Sequence, residues 1–411
     1  MRKIPTAFIL AIVLLSGKHL LAEGNWPQWR GPNGTGHSPE KTAPVKWDAK
    51  SVKWKLDLPG QGQSSPIIWD DNIFLTSALD RGTKRVVFCV SRSKKKIVWQ
   101  HVAWTGQREQ TPRMNGYASD NCTTDGERVY AFFGKGGLHC YSVDGKPLWK
   151  RDLGEFPGKW GTGASPILVG DLLIQNCDER GKGLIRAFDK KTGEPKWATN
   201  RPAPQRGGWS TPILIDTGKR KEIVLNGEKA VCAYDPESGK ELWSCKSVRG
   251  RGEPTVTPGK GLIFNINGQP GDISAMRPGG SGDITSTKNL VWRGRRTSGR
   301  DQPSPILIGD YLLVVSMKGI ATCYNSADGK VLDTVRLNAS GSFVSTPIAV
   351  GNKAYFISES GQTVVIEPGA KMKIVSTNDL SAPKAEIFRA SLTPSKGQMF
   401  IRSDRALYCV E

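Results

Sequence analysis

A short opening recurs along this chain at a nearly constant interval, and that period constrains the fold more than any other feature. It is a Ser/Thr-Pro pair leading into an apolar run: SSPIIWDDNIFLT from Ser64, ASPILVGDLLIQN from Ala164, STPILI from Ser210, VTPGKGLIFNIN from Val256, PSPILIGDYLLVVS from Pro303, STPIAVGNKAYFIS from Ser345 and LTPSKGQMFIRS from Leu392. From Pro166 through Pro212, Pro258, Pro305 and Pro347 to Pro394 the steps are 46, 46, 47, 42 and 47 residues. Pro66 and Pro166 are 100 residues apart, which leaves room for one more repeat, and NCTTDGERVYAFFG supplies it with Cys122 in the proline position. A fixed period of this length marks one repetitive domain in which each unit buries its apolar face against its neighbours.

Within a repeat, a short β-rich run, a Gly/Asp/Asn turn and a second run read as a hairpin, and a third run leads through another turn to a tryptophan. GLIRAFDKKTGEPKW and AVCAYDPESGKELW show this second half. Helical periodicity is nowhere sustained. The expected fold is all-β, an eight-bladed propeller of four-stranded antiparallel blades spanning residues 23–411, with an insertion at 104–121 before blade 2. The last repeat ends one strand short at Glu411, while VKWKLDLPG at Val52 to Gly60 is left over. That segment is expected to complete blade 8 and close the ring, removing a free sheet edge.

Arg2 and Lys3 precede an apolar run from Ile4 to Leu15, with a small-residue exit near Ala22. This reads as a signal peptide over residues 1–22, so the chain is expected to be exported, periplasmic or secreted. No other run has the length of a transmembrane helix. Removing Arg2, Lys3 and Lys18 from the 58 basic residues leaves 55 against 38 acidic ones. So basic a surface favours anionic neighbours, and because the charge is spread along the chain, no nucleic-acid partner is expected.

The pattern A-x-D-x-x-[TS]-G-x-x-x-W stands in full at Ala187 to Trp197 and at Ala233 to Trp243. It resembles the tryptophan-docking motif of the pyrroloquinoline-quinone-like propeller family, and partial copies end at Trp99, Trp149 and Trp292. The resemblance covers essentially the whole mature chain and implies that these tryptophans, with Trp54, dock blade on blade. Asp333 and Ile374 stand near the expected place in two repeats that lack it. The opening WPQWRGPNGTG, Trp26 to Gly36, is similar to that of secreted propellers of this type.

Within this family the chain resembles the scaffold propeller of the bacterial outer-membrane assembly machinery more than the quinoprotein alcohol dehydrogenases. Those enzymes set a pair of vicinal cysteines against the cofactor, and no two cysteines are adjacent here. No catalytic residue, metal ligand or cofactor is therefore expected. Pyrroloquinoline quinone with calcium enters only under the alternative, a quinone-dependent oxidoreductase acting on alcohols or sugars.

Cys89, Cys140, Cys323 and Cys409 occupy one slot of four repeats, filled by Ala187 and Ala233 in two others, which marks a buried small-residue site. Cys122, Cys177, Cys232 and Cys245 are left as possible disulfide partners, since spacing does not decide connectivity. Turn aspartates such as Asp171, Asp189, Asp235 and Asp310 are explained by turn chemistry.

The residues leading into each first strand should crowd one mouth of the central channel. They are Gln61 and Gln63, Arg113 and Tyr117, Lys159 and Trp160, Arg206 and Trp209, Arg251 and Glu253, Arg300 and Asp301, Phe343, and Phe388 with Arg389. Guanidinium forks suit carboxylate or phosphate, and flat aromatic faces suit stacking. Sequence thus leads to a non-catalytic binding propeller, monomeric, engaging an envelope protein or acidic glycan at that mouth.

Overall fold

The computed structural model describes residues 24–204, 206–248, 250–268, 271–296 and 303–411. The expected signal peptide lies outside the described residues, as do Arg300 and Asp301.

Eight antiparallel four-stranded sheets form the ring. Blades 1 to 7 occupy residues 67–105, 123–151, 167–201, 213–246, 257–295, 306–336 and 348–378, and blade 8 occupies 393–410. The outermost strand of blade 8 is Val52–Asp57, paired antiparallel with Ala406–Val410, so the two halves of the chain close the ring as anticipated. The middle strands are buried along their length because blades cover both faces, whereas outer strands such as Val52–Asp57 alternate between half-buried and exposed. The period-2 pattern therefore survives only at the rim.

Strand register corrects one part of the repeat alignment. Ile67, Ile306 and Ile348 pair with Phe74, Leu313 and Tyr355, and the equivalent pairs in blades 5 and 8 are Thr257 with Phe264 and Thr393 with Phe400. Val256 and Leu392 thus fill the proline slot, while Pro258 and Pro394 sit two residues later, inside the first strand.

The tryptophans seal junctions at the end of the ring away from the lead-ins. Trp99, Trp149, Trp197 and Trp292 donate their indole N–H to Val143, Lys190, Pro236 and Ser326 carbonyls of the next blade, at 2.8 to 3.1 Å. Each lies on a turn glycine of that blade: a Cβ on Gly193 would stand 2.6 Å from Trp149, and Gly145, Gly239 and Gly329 are equally crowded.

Other junctions use other chemistry. Blade 5 replaces the tight turn with an excursion whose Gly282–Asp283 strand pairs in parallel with Trp243–Ser244, as a fifth strand of blade 4. Trp243 is consequently fully buried and donates within its own blade, to Glu222 at 2.8 Å, rather than to the next. Between blades 6 and 7, Asp333 accepts the Met372 N–H at 2.7 Å. In blade 7 the pairing of Val365 with Ser376 puts Ser376, not Ile374, in the tryptophan slot. That place is filled from the N-terminal arm, where Trp47 stacks on Tyr355 with centroids 6.5 Å apart and its backbone N–H donates to the Asn378 side-chain oxygen at 2.9 Å. Trp54 meets Phe400 of its own blade edge-on at 5.9 Å.

Residues 24–47 do more than lead into the ring. Trp26 bridges to Ile68, Gly36 and Ser38 exchange backbone hydrogen bonds with Ala349, and a His37 ring nitrogen lies 2.6 Å from the Leu307 carbonyl. All three partners lie on first strands, so the arm crosses the channel and plugs it. Arg30 is buried at the axis, its guanidinium donating to the Pro305 carbonyl at 2.8 Å and to Thr257 at 3.1 Å. Burial without a carboxylate partner pulls its pKa down to about 9.

All eight cysteines are free and buried. Cys89, Cys140, Cys323 and Cys409 do share one register position with Ala187 and Ala233, each opposite the tryptophan slot of its blade.

Candidate functional site

A collar of hydroxyls, one per blade, stands just before the proline slot. The backbone N–H of Asn121 donates to Ser165, Ser165 to Thr211, Thr211 to Thr255, Thr255 to Ser304, Ser304 to Thr346 and Ser391 to Ser65, at 2.9 to 3.1 Å, and Ser65 donates to the Asn121 side chain. The Ser/Thr of the repeat opening thus ties first strands of neighbouring blades together, at about 1 kcal/mol net per bond. Blade 2 contributes Asn121 in place of a hydroxyl, and the chain of bonds is interrupted between Thr346 of blade 7 and Ser391 of blade 8.

Above the collar the lead-ins enclose a cavity of about 240 Å³. Its floor is Trp29, from the arm that plugs the channel, so the site is a blind cup and not a conduit. Trp160, Trp209, Arg251 and Arg389 line it, as the sequence led one to expect, with Gln63 and Glu253. Arg113, Lys159 and Arg206 are exposed and do not line the cup.

Tyr117, Phe343 and Phe388 have a different place. Phe343 and Phe388 are buried in the core and cover Gly319 and Gly361 of the preceding blades, where a Cβ would stand 2.9 and 2.8 Å from the rings. Tyr117 covers Gly82 of blade 1 in the same way. These aromatics seal the mouth end of three junctions, so Phe388 and Phe343 belong to the core instead of the opening.

The insertion at 104–121 forms one wall. Buried Arg85 pairs with Glu109, donates to the Phe133 carbonyl at 2.6 Å, and lies between the rings of Trp104 and Tyr117, 4.6 and 5.3 Å from their centroids. Asn115 reaches the other way and donates to the carbonyls of Trp160 and Thr162 at 2.7 and 2.9 Å. Arg389 donates to the Arg113 carbonyl at 2.9 Å, tying the same segment to blade 8. Pro112 and Met114 then face the cup from that wall. Neither they nor Trp29 carry a repeat signature, which is why sequence reasoning missed them; the length of the insertion was the only signal.

The cup holds both charge signs in fixed pairs. Arg251 sits over the Trp160 ring at 5.3 Å and approaches Glu253 at 3.5 Å, and Arg389 donates to Glu359 at 2.6 Å. Trp209 is held by its N–H to the Gly161 carbonyl at 3.0 Å. Behind the wall, Asp120 accepts from Thr162 at 2.7 Å with one oxygen, and burial pushes its pKa up to about 7 against that hydrogen bond. Among the described residues, Glu253 is the one carboxylate on the lining, and no group of three His, Cys, Asp or Glu is placed to hold a metal ion. Calcium takes six to eight oxygens, with carboxylates prominent among them, so this donor set does not suit it.

Known proteins resemble this geometry in two functional classes. The family model described as outer membrane protein assembly factor BamB matches residues 39–157, 83–332 and 181–410. The assembly factor BamB of Burkholderia pseudomallei (strain K96243) is 24% identical over 320 residues, covering 65% of this chain and 78% of that protein. The crystal structure of BamB from Moraxella catarrhalis superposes with a TM-score of 0.62 at 15% identity, covering 87% of this chain and 96% of that one. Quinohemoprotein alcohol dehydrogenase from Comamonas testosteroni gives 0.68 at 11% identity, covering 94% and 80%. At such identities the superpositions show the shared fold and do not choose between scaffold and enzyme.

Proposed function

Because the chain belongs to the outer membrane protein assembly factor BamB family, we propose that it is an exported, non-catalytic scaffold of the cell envelope that seats an acidic segment of a protein partner on its channel mouth. The observation that carries this reading is the cup itself. Trp160 and Trp209 stand half-buried over a closed floor, framed by exposed Arg113, Lys159 and Arg206. Aromatic anchors in a pocket with a charged rim are the usual makings of an interface hot spot, and the rim charge favours an acidic partner through faster encounter. Family membership supports the scaffold role, and no helix among the described residues is long and apolar enough to cross a membrane.

The alternative, a quinone-dependent oxidoreductase, has the fold in its favour. Against it stands the chemistry of the lining, where the single carboxylate among the described residues, Glu253, is engaged by Arg251. We derive no catalytic step from these residues.

The test uses the mature chain and two probes, a synthetic acidic peptide carrying one aromatic residue and an oligogalacturonate, followed by tryptophan fluorescence. Saturable peptide binding that weakens by at least about tenfold in Trp160→Ala/Trp209→Ala, a loss of roughly 1.4 kcal/mol or more from the two anchors together, supports the proposal. Preference for the oligogalacturonate would make the partner an acidic glycan. Dye-linked alcohol oxidation on addition of pyrroloquinoline quinone and calcium would overturn the non-catalytic reading.

A further inference from the structure

A second cavity lies at the opposite end of the ring from the mouth, between blades 4 and 5. First strands run away from the mouth, so the turn that follows each of them belongs to the far face. The turns after Ile213–Asp216 and Thr257–Gly259 form two walls of a cavity of about 680 Å³, and the blade 5 excursion at Arg277, Pro278 and Gly279 forms the third.

This excursion is anchored firmly. Arg220 donates to Glu222 at 2.7 Å and to the Gly280 carbonyl at 2.5 Å, and the Gly279 N–H donates to Glu222 at 3.3 Å. Glu222 is fully buried and also accepts from Trp243. The irregular blade 4–5 junction is therefore a built structure, and it leaves a gap where regular junctions are closed by a tryptophan lying on a turn glycine.

The charge of this gap is unlike that of its neighbours. The corresponding turns of blades 1, 3 and 6 carry Asp70 and Asp71, Asp171 and Asp310. Here Lys219, Arg220 and Arg277 line the cavity, with Asp216 as the only carboxylate among the described residues, and Asp216 caps the Gly218 N–H at 2.8 Å. Lys219 and Arg277 are exposed and enter no ion pair among the described residues. Beneath these cations the lining is apolar, with half-buried Leu214, Pro258 and Leu262.

We propose that this cavity binds a phospholipid, with its phosphate between Lys219 and Arg277 and its acyl chains against Leu214, Pro258 and Leu262. A guanidinium beside an ammonium is a phosphate-binding pair, the first as a fork and the second as a point charge. The apolar lining selects an amphiphile over a free anion, because a bare phosphate would leave that surface in water.

The test is calorimetric titration of the mature chain with monomeric dihexanoylphosphatidylglycerol at about 0.15 M salt, where charges beyond about 8 Å are largely screened. The expected result is saturable 1:1 binding that falls by at least about tenfold in Lys219→Ser/Arg277→Ser, which removes both charged contacts to the phosphate. The charge-matched variant Lys371→Ser/Lys384→Ser, with both changes on exposed side chains elsewhere, is expected to bind within twofold of the parent. Both variants alter exposed side chains only, and their thermal melts report folding independently. Equal losses in the two variants, binding of glycerol phosphate as tight as that of the lipid, or no saturable binding would each overturn the proposal.

Discussion

Five aromatic side chains enter the ring at comparable places before the first strands, yet they divide into two kinds. Phe388, Phe343 and Tyr117 turn back onto a glycine of the preceding blade, whereas Trp160 and Trp209 line the cup. The difference lies in what covers the glycine of the preceding blade. Gly361, Gly319 and Gly82 all have positive φ and are covered by the ring, while Gly181, in the matching loop before Trp209, is also at positive φ but has nothing within 4 Å of its would-be Cβ, and Gly134, in the loop before Trp160, is met by Thr162. Where the aromatic lies on the glycine, it becomes part of the fold. Where it does not, the lead-in is held by polar bonds. Trp160 shows this directly, because Asn115 fixes its carbonyl while Arg251 covers its face.

The largest expected effect breaks the first kind. Phe388→Ala removes a fully buried ring that also packs on Tyr408 at 5.9 Å, and is expected to cost about 3–5 kcal/mol, as buried aromatic truncations do. The shift of the denaturant midpoint checks it. A change near 1 kcal/mol would mean that the glycine platform, not the ring, organises the junction.

A second prediction concerns the polar substitute for such a seal. Asp120 is held through Thr162, and burial raises its folded pKa to about 7, above the ordinary carboxylate range. A carboxyl raised in this way contributes stability that is fully present below its unfolded pKa and is lost as pH rises through its folded one. The melting temperature should therefore carry a downward component between about pH 4 and 7 from this group. Asp120→Asn keeps an acceptor for Thr162 and should flatten that component, so the variant gains on the parent as pH rises. Parallel curves for parent and variant from pH 5 to 8 would remove Asp120 from the account.

Much of the fold was legible because its determinants are periodic. Blade number, closure by Val52–Asp57 and the small-residue slot of Cys89, Ala187 and their equivalents all follow from residues repeated at one interval. What is not repeated could not be read. The plug depends on single contacts of Arg30, His37 and Trp47 with first strands or with blade 7, and nothing in its sequence has a period. Pro258 and Pro394 misled the register because a Thr-Pro pair stands two residues late in both blades, and only the pairing of Thr257 with Phe264 reveals it. At the site, sequence located the mouth correctly through its lead-ins, and Trp160, Trp209, Arg251 and Arg389 do line the cup. It could not separate platform aromatics from lining ones, since a positive-φ glycine stands in the preceding blade for all five, and which side chain covers it depends on the path of the lead-in in three dimensions.

The smallest expected effect on stability is the one that sharpens the comparison most. Trp209 is half-buried, and its indole N–H reaches only the Gly161 carbonyl at 3.0 Å. Truncation to alanine should lose that bond and part of the ring's contact area, at most about 1–2 kcal/mol, well below the cost expected for Phe388→Ala. Binding of the acidic peptide should respond in the opposite order, weakening with Trp209→Ala and remaining unchanged in a Phe388→Leu variant that keeps the core filled. Measuring both quantities on both variants separates the roles. If Trp209→Ala proves as destabilising as Phe388→Ala, the lining tryptophans are seals as well, and the cup is a consequence of packing and not a surface kept open for a partner.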